Sequence, residues 1–458
     1  MKKKLLALTL ALVMVLGLAS AAFASEYTVT EGDSLWKIAK EQLGDGSKWN
    51  EIYEANKDTV KNPNVIYVGQ KLNIPDGQDT QPVVTPEPEV TPGPEAPTSV
   101  TATGEGDGFG GPLTVSVTLS ADKKTIEAIT IGENGETPSI GGKAMELLKA
   151  SILEGQTVEL DAISGATLAS DGFLAAVKAA IEAAGGSLSD FQKELEVDTT
   201  DKVLDVDVVV VGAGGAGMTA AITAAQAGKK VVVLEKTAMV GGNTVKSTGG
   251  MNAADTQWQD SYDFTREAGI LATLKSAEAY PALAELAAAV QKEYEDWKAA
   301  GAEGYFDSVN LFMLDTMVGG HGINNLELVK VLAENSAAGI DWLESVGGTL
   351  HDVSSLGGAS VNRCHRPVNA EGKSVPVGSY LVPVLEKACA DNGVEIIFNA
   401  PATELLMENG KAVGVKAEGY TVNAKSVVLA TGGFGGNLEM VAEIKPDLKG
   451  FVTTNAPV

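Results

Sequence analysis

Cysteine is nearly missing from this chain. There are two in 458 residues, Cys364 and Cys389, and they form no CxxC or CxxCH pair. That excludes an attached c-type haem and a zinc knuckle, and no metal site is expected. The two can be joined as a single disulfide or stand as packed thiols. Histidine is as scarce, limited to His321, His351 and His365. Positive charge is in deficit: 34 Lys and Arg face 60 Asp and Glu, a net charge of −26. This argues against a nucleic-acid partner, which needs a basic footprint. An anionic ligand must be held by local cations. What is plentiful is glycine, 52 residues in a composition that is 44% apolar. The chain reads as globular and turn-rich, and is long enough for two to four domains.

The one long apolar run is at the N-terminus. Lys2, Lys3 and Lys4 precede Leu5 to Leu18, and Ala22-Phe23-Ala24 makes an A-x-A site. Residues 1–24 read as a signal peptide cleaved after Ala24, which implies export. The run is short for a membrane span and no second one follows. No cysteine near the site could carry a lipid.

Residues 25–75 form a small unit. An alternating strand holds Tyr27 and Val29, and a helix from about Ser34 places Leu35, Ile38 and Ala39 on one face. A second helix carries Trp49, Ile52 and Tyr53, and a strand closes the unit at Lys71 to Ile74. With Gly32-Asp33-Ser34-Leu35, Asn62-Pro63-Asn64 and Val68-Gly69-Gln70-Lys71-Leu72, it resembles a LysM domain. The resemblance implies peptidoglycan binding in a groove formed by Gly32, Asp33, Ser34, Asn64, Val65 and Ile66. A spacer without a ligand is the alternative. Residues 76–98, rich in proline, acids and threonine, read as an extended linker.

Residues 99–186 make a further unit, with an alternating hairpin in "LTVSVTLSADKKTIEAITIG" and helical patterns at 143–153 and 171–184. Ser170 or Asp171 can cap the second helix. Just before it lies "DAISGATLAS", small hydroxyls on a glycine-softened turn. Residues 187–204 read as a second linker.

From 205 to 458 the texture is α/β. A valine strand leads into Gly212-Ala213-Gly214-Gly215-Ala216-Gly217, then a small-residue helix and a second buried strand. G-x-G-x-x-G in that setting is a dinucleotide site. Gly212 allows the turn, Gly214 lets the backbone approach a pyrophosphate, and Gly217 lets helix and strand pack. Glu235 ends the second strand where a ribose-binding acid belongs. "GGNTVKSTGGMNAA" (241–254) and "VVLATGGFGGN" (427–437) add two glycine turns.

This set resembles the FAD-binding subunit of the fumarate reductase and succinate dehydrogenase family, and more closely the soluble flavocytochrome c type. The resemblance runs from about Val206 to the chain end, with an alanine-rich helical insert near 265–305. It implies that Gly241, Gly242, Asn243, Thr244, Gly249 and Gly250 line FAD, and that Thr431, Gly432 and Gly433 touch it again. No histidine lies in 236–254, so FAD is expected to be non-covalent. No haem motif is present, so another electron carrier is needed. Asp161-x-x-Ser164-Gly165-Ala166-Thr167-x-x-Ser170 resembles the attachment motif of FMN-binding domains. It implies that a flavin transferase links FMN covalently to Thr167, beside Ser164, Gly165 and Ala166.

"GGASVNRCHRP" (357–367) concentrates Arg363, His365 and Arg366 in an acidic chain, and cations at a flavin face suit a dicarboxylate. By resemblance His365 holds a substrate carboxylate and Met251 packs beside the substrate. His321 reads as structural, and His351 carries no motif. The implied reaction is hydride transfer from reduced FAD to an alkene carbon, with protonation of the other.

The fold expected is multidomain: an α+β LysM unit, an α+β FMN-binding domain and an α/β Rossmann-like FAD-binding domain with an inserted substrate or capping region. The family's proton-donating arginine belongs to a segment beyond "GFVTTNAPV". The FAD domain is therefore expected to be incomplete and this chain inactive alone. The expectation is a secreted, wall-associated reductase of fumarate or a related 2-enoate, in a Gram-positive-type envelope, fed by a membrane or extracellular donor. Urocanate, methacrylate or cinnamate analogues are alternative acceptors, and a non-catalytic wall-bound electron carrier is a reading of another class.

Overall fold

A computed structural model describes residues 25–30, 34–43, 48–57, 59–60, 66, 70–75, 98–193 and 200–456. The expected signal peptide, most of the proline-rich linker, and Gly32, Asp33, Asn64 and Val65 of the expected glycan groove lie outside those residues. The chain divides into two compact units, Met1–Glu95 and Ala96–Val458. Among the described residues, no helix is long and apolar enough to cross a membrane.

In the first unit, strands Ser25–Thr28 and Lys71–Ile74 pair antiparallel. Helix Leu35–Gln42 starts at Ser34, whose side chain accepts a hydrogen bond from the Lys37 N–H. Leu35, Ile38 and Ala39 fall at helical spacing and are buried with Ile52, Leu72 and Ile74. Asn56 joins helix to sheet: its Nδ2 donates to the carbonyls of Ile52 and Asn73, and its Oδ1 accepts from the Asn73 N–H. Ser34 is exposed and Ile66 partly buried.

The second unit opens with a three-stranded antiparallel sheet, Val100–Gly108, Gly111–Leu119 and Ile126–Ile131. The last two are the hairpin read from the alternation. The first was not read as a strand, because glycine interrupts its pattern. Its glycines answer to packing: a Cβ at Gly104 would stand 2.1 Å from the Ala176 carbonyl oxygen, and one at Gly106 2.0 Å from that of Gly172. Helix Thr167–Ala183 can lie flat on this sheet only where side chains are missing.

That helix begins four residues before the expected start, and neither Ser170 nor Asp171 caps it. Ser170 is buried inside the first turn, where its hydroxyl donates to the Ala166 carbonyl and accepts from the Ile163 N–H. Part of the expected linker 187–204 is also core. Phe191 is buried, its carbonyl accepts from the Val158 N–H, and strand Lys202–Val211 starts before 205.

The α/β part holds a six-stranded sheet. Its order is Glu395–Ile397, Val231–Leu234, Lys202–Val211, Tyr420–Leu429, Lys411–Ala417, Ala402–Glu408. The first four strands run parallel and the last two antiparallel. Val209, Val210 and Val211 are all buried, as expected of a central parallel strand covered on both faces. The helical insert runs from Glu267 to Ser345, further than expected, and has its own core around Phe264, Tyr294, Tyr305 and Phe306. Cys364 and Cys389 are both buried and free.

Candidate active site

The Lys202–Val211 strand ends at a turn that only glycine can make. Gly212 has φ +101, and a Cβ on it would sit 2.5 Å from the Ala430 carbonyl oxygen. A Cβ at Gly217 would lie 1.8 Å from the Gly212 oxygen, so helix Gly215–Gln226 can seat against the strand only without one. Gly214 caps that helix in extended backbone, where a Cβ would lie in ordinary contact, 4.0 Å, with the Gly241 carbonyl and the Thr244 hydroxyl. Glu235 is buried and fully engaged: Oε2 accepts from the Ala213 N–H at 2.8 Å, and Oε1 from the Thr237 N–H and hydroxyl, both at 2.9 Å. The carboxylate thus shapes the glycine turn from across the strand pair.

These groups open on a cleft of about 440 Å³. Of the residues read from the sequence, Gly212, Gly214, Gly215, Glu235, Gly242, Asn243, Thr244, Thr431, Gly432 and Gly433 line it. Gly217 and Gly241 support its walls. Gly249 and Gly250 are not among its lining. A Cβ at Gly250 would meet the His365 carbonyl oxygen at 2.5 Å, so this glycine serves the approach of two strands.

Those strands are Met251–Asn252 and Cys364–Arg366, paired so that Met251 faces His365. His365 is completely buried. Its Nδ1 lies 2.9 Å from the Arg363 carbonyl, which can only accept, so Nδ1 carries the proton of the neutral ring. Nε2 then accepts from the Thr256 hydroxyl at 2.8 Å. Burial holds the imidazole below the usual histidine range.

The structure buries the Arg363 guanidinium, which does not line the dinucleotide cleft. It is 1% exposed, donates twice to Asp307 and once to Asp315, and stacks over Phe312. Burial pushes the Asp307 carboxyl up, and the Arg363 charge opposes that. Asp315 also accepts from the Ser360 N–H and hydroxyl, which pins the start of the 360–366 segment. Arg366 is partly buried, with an Nε that has no partner among the described residues. His351 stacks on Trp258, ring centroids 3.3 Å apart.

At the "SGAT" turn, Gly165 has φ +89 and the Ala166 N–H donates to the Ile163 carbonyl. Ala166 is buried against Ala144 and Met239. Thr167 is the first helical residue and is exposed, so its hydroxyl stands at the positive end of a 17-residue helix.

The model of FAD dependent oxidoreductases matches residues 207–457, more than half of the chain. The chain belongs to that family. Within this FAD dependent oxidoreductase, residues 108–182 match the FMN-binding domain and residues 27–75 the LysM domain. Three curated relatives are similar to it. The NADH:acrylate oxidoreductase of Vibrio harveyi is 35% identical over 392 residues, 78% of this chain and 38% of its own length. The urocanate reductase of Eggerthella lenta is 34% identical over 358 residues, 76% of this chain and 51% of its own. The fumarate reductase (cytochrome) of Shewanella frigidimarina is 38% identical over 258 residues, 55% of this chain and 37% of its own. The chain spans between about a third and a half of these relatives' lengths.

FAD and FMN are the cofactors these domains support. The residues present fit a dinucleotide: Gly432 and Gly433 leave open the space that side chains would fill, and a Cβ at Gly214 would only just touch the Gly241 carbonyl and the Thr244 hydroxyl, each at 4.0 Å. Sequence reading missed Thr256, Asp307 and Asp315, which act on His365 and Arg363 across 109, 56 and 48 residues. Only Asp315, a lone charge in the apolar helix Val309–Gly319, stands out in its local sequence.

Proposed function

We propose that this chain is part of an exported, wall-associated flavoenzyme that reduces fumarate or a related 2-enoate. The observation that carries the reading is the course of one glycine loop. It lines the dinucleotide cleft at Gly242, Asn243 and Thr244, and within seven residues it reaches Met251, paired with His365. On this reading one short segment runs from the reducing cofactor to the strand pair beside which the substrate is reduced. The relatives' fumarate, acrylate and urocanate reductions share an unsaturated carboxylate acceptor.

Bound FAD supplies the hydride in such a reaction. The chain's own residues bind and orient. The glycine turn and helix N-terminus face a pyrophosphate. Arg366, with its unpartnered buried Nε–H, is the cation offered to the substrate. His365, expected from the sequence to hold the carboxylate, instead braces the strand beside Met251, its two ring nitrogens taken by the Arg363 carbonyl and the Thr256 hydroxyl. Arg363 acts through its strand: by holding Asp307 and Asp315 it fixes the segment that presents His365. Covalent FMN on Thr167, attached by a flavin transferase, relays electrons from a membrane or extracellular donor. The LysM unit retains the protein on peptidoglycan.

The test is dye-linked turnover by the native protein carrying this chain, released from cell walls and given reduced viologen with fumarate, acrylate or urocanate. Oxidation of the dye with one of them is expected. Oxidation with none overturns the reading, and reduction of flavin alone favours the electron carrier.

A further inference from the structure

The FMN-binding part and the FAD-binding part meet at a cleft of about 450 Å³ that neither expected cofactor site includes. One wall is the segment with Pro138 and Ser139, and the other carries Val240, Tyr380 and Pro383. An ion pair bridges the parts at its rim, with Lys143 Nζ 2.6 Å from Glu386 Oε2. We propose that this cleft is the seat of the flavin ring carried by Thr167. The inference rests on attachment of FMN at that threonine.

Three observations carry it. The first is continuity. Ala166, next to Thr167, packs with Ile140 and Met239, and their neighbours Ser139 and Val240 line the cleft. The tether turn and the cleft therefore share their walls. The second is an unmet polar group. The Ser139 hydroxyl oxygen is buried with no hydrogen-bond partner among the described residues, and Ser139 lines the cleft, so rotation of its side chain would offer that hydroxyl to a ring bearing donors and acceptors. The third is shape. The volume falls within the range of cofactor pockets, the walls are mostly apolar, and the Tyr380 ring is fixed because its hydroxyl accepts from the Thr349 N–H.

The placement has a consequence for the second flavin. Val240 lines this cleft, and Gly242, two residues on, lines the dinucleotide cleft. Two residues of chain span at most about 7 Å. One loop thus separates the two flavin sites.

The experiment uses the full chain produced with a flavin transferase, after removal of non-covalent flavin. Peptide mass first establishes the FMN increment at Thr167, and iodide quenching of flavin fluorescence then reads ring exposure. A ring with 70–90% of its surface buried should be quenched roughly three- to tenfold less efficiently than free FMN. Pro383→Trp, which fills the cleft, should bring quenching close to that of free FMN. Glu386→Ala, which unlatches the rim, should raise it part of the way. Lys149→Ala, outside the cleft lining, should change nothing. A wild-type ring as accessible as free FMN overturns the seat and leaves the attachment standing. Protection that survives both Pro383→Trp and Glu386→Ala also overturns it, because the ring is then buried elsewhere. Absence of the mass increment overturns the attachment, and the seat with it.

Discussion

Arg363 grips Asp307 with two hydrogen bonds, Nε to Oδ2 at 3.0 Å and Nη2 to Oδ1 at 2.7 Å, and both side chains are 1% exposed. A guanidinium so placed is a fixed point of the fold. Asp307→Ala leaves the Arg363 charge short of a partner in a dry site. The expected loss is about 3–5 kcal/mol of stability, typical of breaking one side of a buried pair. Urea denaturation checks it, with a lower midpoint at unchanged slope.

His365 ties stability to acid. Burial lowers its folded pKa below the unfolded value. The stabilisation is therefore present above the ordinary histidine pKa and lost as pH falls through the lowered folded value. Melting temperature should drop on acidification below neutrality, and His365→Gln should flatten part of that drop. Thr256→Val removes the donor to Nε2 and should cost about 1–3 kcal/mol at neutral pH, from the buried acceptor left unpaired.

Cys389 ties stability to base. Burial, with the nearby Glu386 charge, pushes its thiol from 9.0 up to about 11. The protonated thiol's contribution is complete below the unfolded value and is lost as pH rises through the folded one. Alkaline titration of the melting temperature should show this loss, and Cys389→Ala should remove it. Thiol reagents at pH 8 should modify the native protein far more slowly than the unfolded chain.

Gly217 tests the dinucleotide turn. With only 1.8 Å available for a Cβ, Gly217→Ala must push the helix from the strand, and overpacking of this kind costs about 1–3 kcal/mol. FAD affinity measured by flavin fluorescence titration should fall roughly tenfold or more, because the backbone that faces the pyrophosphate moves with the helix.

Thr167 tests the tether. Its side chain is exposed, and the helix has no side-chain cap for a substitution there to remove. Thr167→Ala should abolish the covalent FMN increment and leave thermal stability within about 0.5 kcal/mol. A retained increment would move the attachment to another hydroxyl of the turn.

Much of this architecture was legible in the residue order, because the relevant physics is local. Helical spacing of Leu35, Ile38 and Ala39 and alternation in Leu113 to Leu119 needed no partner to be read. The strand, glycine turn and helix from Val208 to Gln226 carry their geometry in φ and in the missing Cβ atoms. The same holds for "SGAT" before a helix. Tertiary structure decided what depends on which surfaces meet. Glycines 104 and 106 hid a strand, since only the helix lying on them explains them. Ser170 looked like a cap and became an internal staple once the helix started at Thr167. Arg363 looked like a substrate cation in an acidic chain, yet Asp307 and Asp315 neutralise it from elements far off in sequence. The cleft between Pro138 and Pro383 exists only where two separately readable parts touch. Sequence determines the period and the turn; burial and long-range pairing determine which charge is free to act.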